Sequence, residues 1–175
     1  MLKYVDTKVT FSEVPNEISL CINISNCPCH CKGCHSSYLA EDIGKPLASW
    51  AEYSKEKHSI NTCIEELIET NKGITCVCLM GGDSDTELIN ALASDIKELY
   101  DIKVAWYSGR QELNEDIWLG NFDYIKLGPY IEELGPLNNK TTNQKFYIVE
   151  KLYCGNDNYK YDLKDITYRF WKDND

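Results

Sequence analysis

The chain has 175 residues, 43% of them hydrophobic, which is enough for one packed core and short for two. Its net charge is −10 and its only arginines are Arg110 and Arg169, so it lacks the clustered basic surface that binds a phosphate backbone, and no nucleic-acid partner is expected. Nine cysteines, an odd number without a basic-then-apolar leader, argue against a secreted disulfide scaffold and for a reducing cytoplasm, and no apolar run approaches the roughly 20 residues that cross a bilayer.

The first informative element is Glu17 to Ser25, EISLCINIS, which alternates or runs apolar with β-branched residues and reads as a buried strand. At its carboxyl end comes Asn26-Cys27-Pro28-Cys29-His30-Cys31-Lys32-Gly33-Cys34-His35, in which Cys27, Cys31 and Cys34 have the spacing C-x3-C-x2-C. Three thiolates in one tight loop read as an iron–sulfur site with one iron left open, because clusters that only carry electrons usually have four cysteine ligands. The competing reading is a tetrahedral zinc site closed by Cys29 or His35, since Cys3His is an ordinary structural set. Zinc modules normally bring ligands in two separated pairs, and no second C-x2-C or H-x3-H follows, so the spacing favours iron and sulfide. Cys29 is the extra thiol: a shield for a cluster, a dispensable neighbour, or a true ligand under the zinc reading.

Ser36 to Lys57 carries the turn-prone Gly44 and Pro46, and Thr62 to Thr70 then places Ile64, Leu67 and Ile68 on one helical stripe behind a Thr62/Glu65 capping box. Gly73 ends that helix, and Ile74 to Met80 has strand length. Ser84-Asp85-Thr86-Glu87 is a second capping-box signature, followed by Leu88, Leu92, Ile96 and Leu99 at helical spacing. Lys103 to Tyr107 reads as a strand, Gln111 to Leu119 as a helix and Tyr124 to Leu127 as a strand. Residues 128–145 form a long connection, of a length uncommon in compact domains unless it binds something or is disordered. Lys145 to Tyr153 resumes as a strand, and the aromatic tail from Asp162 to Trp171 reads as helix or edge strand. Strand, loop and helix alternate at least three times, which predicts parallel strands joined by right-handed crossovers. A complete eight-stranded barrel takes about 250 residues, so the expected fold is a single-domain, incomplete (open) α/β barrel with mostly parallel strands.

Two further strand ends carry chemistry. In parallel α/β folds ligands bind at the carboxyl ends of strands, where Met80-Gly81-Gly82-Asp83 lies. Gly81 and Gly82 let a ligand approach the backbone, the following helix start offers N–H groups to an anion, and Asp83 is an acceptor for an ammonium group. Alone, these residues read first as an ordinary strand-to-helix turn. Trp106-Tyr107-Ser108-Gly109 is the third strand end, or else a solvated turn. Cys76 and Cys78 share one face of a strand and read as small core residues, as do Cys21 and Cys63. His30 is expected to line the cysteine loop, and neither it nor His58 has a visible acid or nucleophile partner, so a hydrolytic triad is unsupported.

With its C-x3-C-x2-C loop, the chain resembles the radical S-adenosylmethionine superfamily. The order of that loop, Gly-Gly-Asp, Tyr-Ser-Gly, Asp123-Tyr124-Ile125-Lys126-Leu127-Gly128 and Thr141-Thr142-Asn143-Gln144-Lys145 resembles the activating proteins of anaerobic ribonucleoside-triphosphate reductases over roughly residues 17 to 150. The resemblance implies one radical S-adenosylmethionine domain over residues 1–175, with a cluster loop at 25–36 and cofactor-binding strand ends near 80–84 and 106–109. Cys27, Cys31 and Cys34 would hold a [4Fe–4S] cluster whose fourth iron is chelated by S-adenosylmethionine. Gly81, Gly82, Asp83, Tyr107 and Ser108 would bind that cofactor, Ser108 through its ribose or carboxylate. No catalytic residue is implied beyond the cluster ligands. A low-potential donor such as flavodoxin or ferredoxin would reduce the cluster, and the target would be a glycine of the reductase's large catalytic subunit. Three departures stand out: Asp83 replaces a glutamate, Gly33 stands where an aromatic residue often packs on adenine, and Leu127 stands where members often carry an acid. Two other readings are a radical enzyme with a different target and a zinc-stabilised, non-catalytic binding module.

Overall fold

Four runs of apolar and β-branched residues pair side by side and in parallel at the centre of one sheet. The computed structural model describes residues 1–49 and 62–171; the Thr62 side chain and His58 lie outside what it describes. Its strands are β1 (Leu2–Thr10), β2 (Ser19–Ile24), β3 (Lys45–Ala48), β4 (Cys76–Met80), β5 (Lys103–Tyr107), β6 (Tyr124–Leu127), β7 (Lys145–Gly155) and β8 (Asn158–Asp165). Among the described residues two α-helices accompany them, α1 (Thr62–Thr70) and α2 (Thr86–Leu99). The spatial order β3-β1-β2-β4-β5-β6-β7-β8 leaves an edge at each end, so the sheet is open. Strands β2, β4, β5 and β6 are mutually parallel; β1 and β7 pair antiparallel with the two outer members of this group, and β3 and β8 pair antiparallel with β1 and β7 in turn. The fold is therefore an open α/β sheet of mixed direction. The expectation of mostly parallel strands holds only for its centre, because β1 and the β7–β8 hairpin extend it on both sides without helical crossovers.

Register and the two-residue period of a strand sort the side chains into two cores. Ile22, Leu79, Trp106 and Ile125 stand in one row, buried with Leu88, Ile89, Leu92 and Ile96 of α2. The opposite face carries the row Cys21, Cys78, Ala105 and Tyr124, packed with Cys76, Val14, Phe146 and Ile166. Cys76 and Cys78 are thus core residues; burial pushes the Cys76 thiol above the usual range and the Cys78 thiol well above it. Helix α2 is held by its apolar face, each fully buried Leu or Ile contributing about 1.5–3 kcal/mol. Leu92 is 1% exposed at the middle of that face, and its truncation to alanine is the single change that most directly undermines the helix. The cap of α2 is Asp85 rather than Ser84, its carboxylate accepting from the Leu88 N–H at 3.1 Å.

The helix expected over Gln111 to Leu119 does not form; only a short 3-10 turn at Leu119–Asn121 appears. The polar side chains of this segment bond to α2 instead. Asn114 donates to the Thr86 hydroxyl at 2.7 Å, that hydroxyl donates to Asp116 at 3.2 Å, and the Trp118 N–H donates to Asn90 at 2.9 Å. Asn and Asp readily trade helix propagation for such bonds, and nine residues give a helix little cooperativity to resist them. The tail resolves into β8 followed by a 3-10 turn at Thr167–Phe170. Among the described residues no helix is long and apolar enough to cross a membrane.

Candidate functional site

Parallel pairing brings the carboxyl ends of β2, β4, β5 and β6 to one edge of the sheet. Asn23, Met80, Tyr107 and Lys126 form the last complete row there, and all four line a single pocket. Cys27, Cys34, Gly81, Asp83, Ser108 and Gly109 complete its functional lining. The three motifs read from the sequence thus converge, although Gly81 lies 47 positions and Ser108 74 positions beyond Cys34.

Backbone bonds fix each strand end. The Trp106 indole N–H donates to the Gly81 carbonyl at 2.9 Å and the Gly81 N–H donates to the Tyr107 carbonyl at 2.9 Å. Gly81 has φ +102°, and a Cβ there would stand 2.8 Å from the Ile24 carbonyl oxygen, so glycine is required by conformation and by space. Asn26, His30 and Gly33 also have positive φ, which folds the cysteine loop tightly, and the Cys27 N–H donates to the Leu39 carbonyl at 2.9 Å.

Asp83 is the electrostatic centre. Its side chain is fully buried. The Ser108 hydroxyl donates to its Oδ1 at 2.5 Å and the Gly109 N–H to its Oδ2 at 2.9 Å. The Arg110 guanidinium lies 3.7 Å from Oδ1 and donates to the Asp83 carbonyl at 2.9 Å. Ser108, expected to face a ligand, thus spends its proton on Asp83, and Arg110 is a neighbour that no motif announced. Tyr107 lines the pocket, while its hydroxyl donates to the Glu13 carbonyl on the far side of the residue.

The four loop thiols are not equivalent. Cys27, Cys29 and Asp83 place their ligand atoms within 4.8 Å of one another, the one such group among the described residues. Cys29 Sγ lies 4.0 Å from Asp83 Oδ2. Burial, with Asp83, Cys27 and Cys31 nearby, pushes the Cys29 thiol up to about 12. Cys31 and Cys34 stand outside this close group, although Cys34 shares the pocket with Cys27. Ligands of one ion must crowd one centre, whereas a cubane spreads its thiolates over separate irons, so the two metal readings ask different spacings of the same loop.

Lys126 belongs to the segment Asp123 to Gly128, in which the sequence assigns it no role. It is 8% exposed, and its ammonium donates to the Gly128 carbonyl at 2.7 Å and the Ser108 carbonyl at 3.4 Å. Burial lowers its pKa to about 8 against the attraction of Cys31, Asp83, Cys29 and Cys34. A buried cation therefore faces the cysteine loop, favouring anions in the pocket. Leu127 is buried in the helix-side core, away from this face.

The long connection 128–145 packs on the cysteine loop: a Cβ on Gly33 would stand 3.3 Å from Glu132 Cδ and 3.5 Å from Tyr130 Cε1. Thr141 and Thr142 donate to the carbonyls of Leu134 and Gly135, Asn143 to Pro129, and Gln144 to Gly128. The Thr-Thr-Asn-Gln segment thus staples its own loop shut. Comparisons with protein-family models, curated proteins and solved structures found no match to this chain.

Proposed function

We propose that the chain is a radical S-adenosylmethionine activase that installs a glycyl radical on the large catalytic subunit of an anaerobic ribonucleotide reductase. The observation that carries this reading is the convergence of Cys27 and Cys34 of the cysteine loop, Gly81, Asp83 and Ser108-Gly109 on one pocket. The donor set fits the cofactors: four thiols stand within eight residues, a buried ammonium faces them, and a buried carboxylate waits on the neighbouring strand end. Cys27, Cys31 and Cys34 would hold the [4Fe–4S] cluster. Once reduced by a low-potential donor such as flavodoxin or ferredoxin, cluster and cofactor together would supply a 5′-deoxyadenosyl radical able to take a hydrogen from glycine.

The residues of the chain bind, orient and balance charge. Asp83 takes the cofactor's ammonium, sharing oxygens already oriented by Ser108 and Gly109. Gly81 keeps the backbone free of a side chain at that wall, whereas Gly82 lines no part of the pocket: a Cβ there would meet Ile89 of the helix-side core at 2.4 Å. Lys126 offsets the negative charge of the thiolates at short range, where a buried charge acts most strongly. The loop 128–145 braces the cysteine loop from the other side. Such chemistry fits a reducing cytoplasm.

Anaerobic reconstitution with iron and sulfide, reduction, and assay for 5′-deoxyadenosine test the reading. Four irons per chain and product formation support it, and a glycyl-radical signal on the reductase subunit identifies the target. A second reading has one observation in its favour: the close Cys27, Cys29 and Asp83 group suits a single divalent ion. It predicts a colourless protein with one zinc and no response to S-adenosylmethionine.

A further inference from the structure

We infer that Cys29 is an internal ligand of this site, covering Asp83 and occupying the open metal position until the cofactor displaces it. The inference rests on the radical reading above and assigns a role to the one loop thiol that reading does not use. Three observations carry it. Cys29 Sγ faces Asp83 Oδ2 at 4.0 Å. Oδ1 is already engaged by Ser108 and Arg110, and Oδ2 by the Gly109 N–H, so the remaining acceptor capacity of the carboxylate lies on the oxygen that Cys29 faces. Finally, Cys29 is seated over Gly109, where a Cβ would come within 2.7 Å of Sγ and 3.0 Å of the Cys29 Cβ. Strand end and loop are shaped to admit this thiol.

An ammonium group approaching Asp83 must therefore move Cys29. The exchange would transfer no electrons: Cys29 would give up the open position to the cofactor's amino and carboxylate groups and would take up the proton that the ammonium gives up. Cofactor affinity is then reduced by the fraction of chains in which Cys29 is already displaced. The arrangement protects a reactive iron while no cofactor is present.

The test compares reconstituted wild-type protein with Cys29→Ala and Cys29→Ser, without reductant, by iron content, Mössbauer spectroscopy and equilibrium binding of S-adenosylmethionine. Without cofactor, the wild type should show four irons in like thiolate surroundings, and Cys29→Ala should show one iron set apart. Cys29→Ala should bind the cofactor about tenfold more tightly, as expected if about a tenth of wild-type chains are open, and mild oxidation should convert it more readily to a three-iron cluster. Cys29→Ser keeps the volume and should fall between the two. Identical spectra and affinities in all three proteins would overturn the role of Cys29 while leaving the radical reading intact. A wild type that takes up no four-iron cluster would overturn both.

Discussion

The Ser108 hydroxyl donates to the Asp83 carboxylate at 2.5 Å, tying together the ends of two parallel strands inside the pocket. A hydrogen bond to a charged group contributes about 1.5–3 kcal/mol. Ser108→Ala should therefore lower the unfolding free energy by about 2 kcal/mol, seen in urea titration as a lower midpoint at unchanged slope. Weaker binding of S-adenosylmethionine should accompany the loss, because Asp83 is freed to turn. An unchanged midpoint would show that the bond is replaced by water.

Lys126 gives a prediction of opposite sign. Its pKa is lowered to about 8 by burial, so the protein carries the cost of a desolvated ammonium below pH 8, on the order of 3 kcal/mol. That cost fades as pH rises towards the unfolded value near 10.4. Lys126→Met should be more stable than wild type at pH 7, and the difference should shrink from pH 8 upward. Denaturant midpoints of both proteins between pH 7 and 10 test this, and a destabilised variant at pH 7 would refute it. Retaining a costly lysine in a pocket is consistent with a functional charge.

Glu17 sits at the opposite end of the strands. Burial raises its carboxyl, but hydrogen bonds from Lys103, Thr75 and Tyr124 outweigh burial and hold it below the usual glutamate range. A lowered acid contributes stability that is present above its unfolded value and lost as pH falls through the folded one. Wild type should lose stability below about pH 4.3 more steeply than Glu17→Gln, as followed by thermal midpoints from pH 7 to 3. Parallel curves would remove Glu17 from the account.

Single alanine substitutions of Cys27, Cys31 and Cys34 should each abolish iron–sulfur incorporation and cofactor cleavage, whereas Cys76→Ala should leave both largely intact because Cys76 lies in the core of the opposite sheet end. Iron content and 5′-deoxyadenosine formation decide the matter. Full activity in Cys31→Ala would end the radical assignment.

Gly81→Ala should be the most damaging of the glycine changes at the pocket, since the new Cβ meets a backbone oxygen rather than a side chain that can move aside. A loss of about 2 kcal/mol or more is expected, combining strain at positive φ with displacement of Ile24. Circular dichroism on heating would reveal it.

The four central strands were legible because apolar, β-branched runs end in turn residues, and Lys103–Tyr107 and Tyr124–Leu127 match the structure to the residue. Strand β1 escaped notice because its residues are mostly half-buried, without the clean alternation of a one-faced strand. β3, Lys45–Ala48, is too short and begins with Lys-Pro. The absent helix at 111–119 depends on Thr86 and Asn90 of α2, contacts that no local window contains. At the site, residue types named Cys27, Cys34 and Asp83. The proximity of Cys29 to Asp83 spans 54 positions and arises only from strand pairing.

The row Asn23, Met80, Tyr107 and Lys126 makes pairing register the ruler of the pocket. A slip of one residue between β5 and β6 would turn Lys126 to the helix side, present an aliphatic neighbour in its place, and displace the strand end by about 3.3 Å. Both cores oppose such a slip, because every apolar side chain on the strand would change sides with it. Selection for a well-packed sheet and selection for an intact pocket thus act on the same variable, and a chain that folds at all delivers its cysteine loop, its carboxylate and its ammonium to one place.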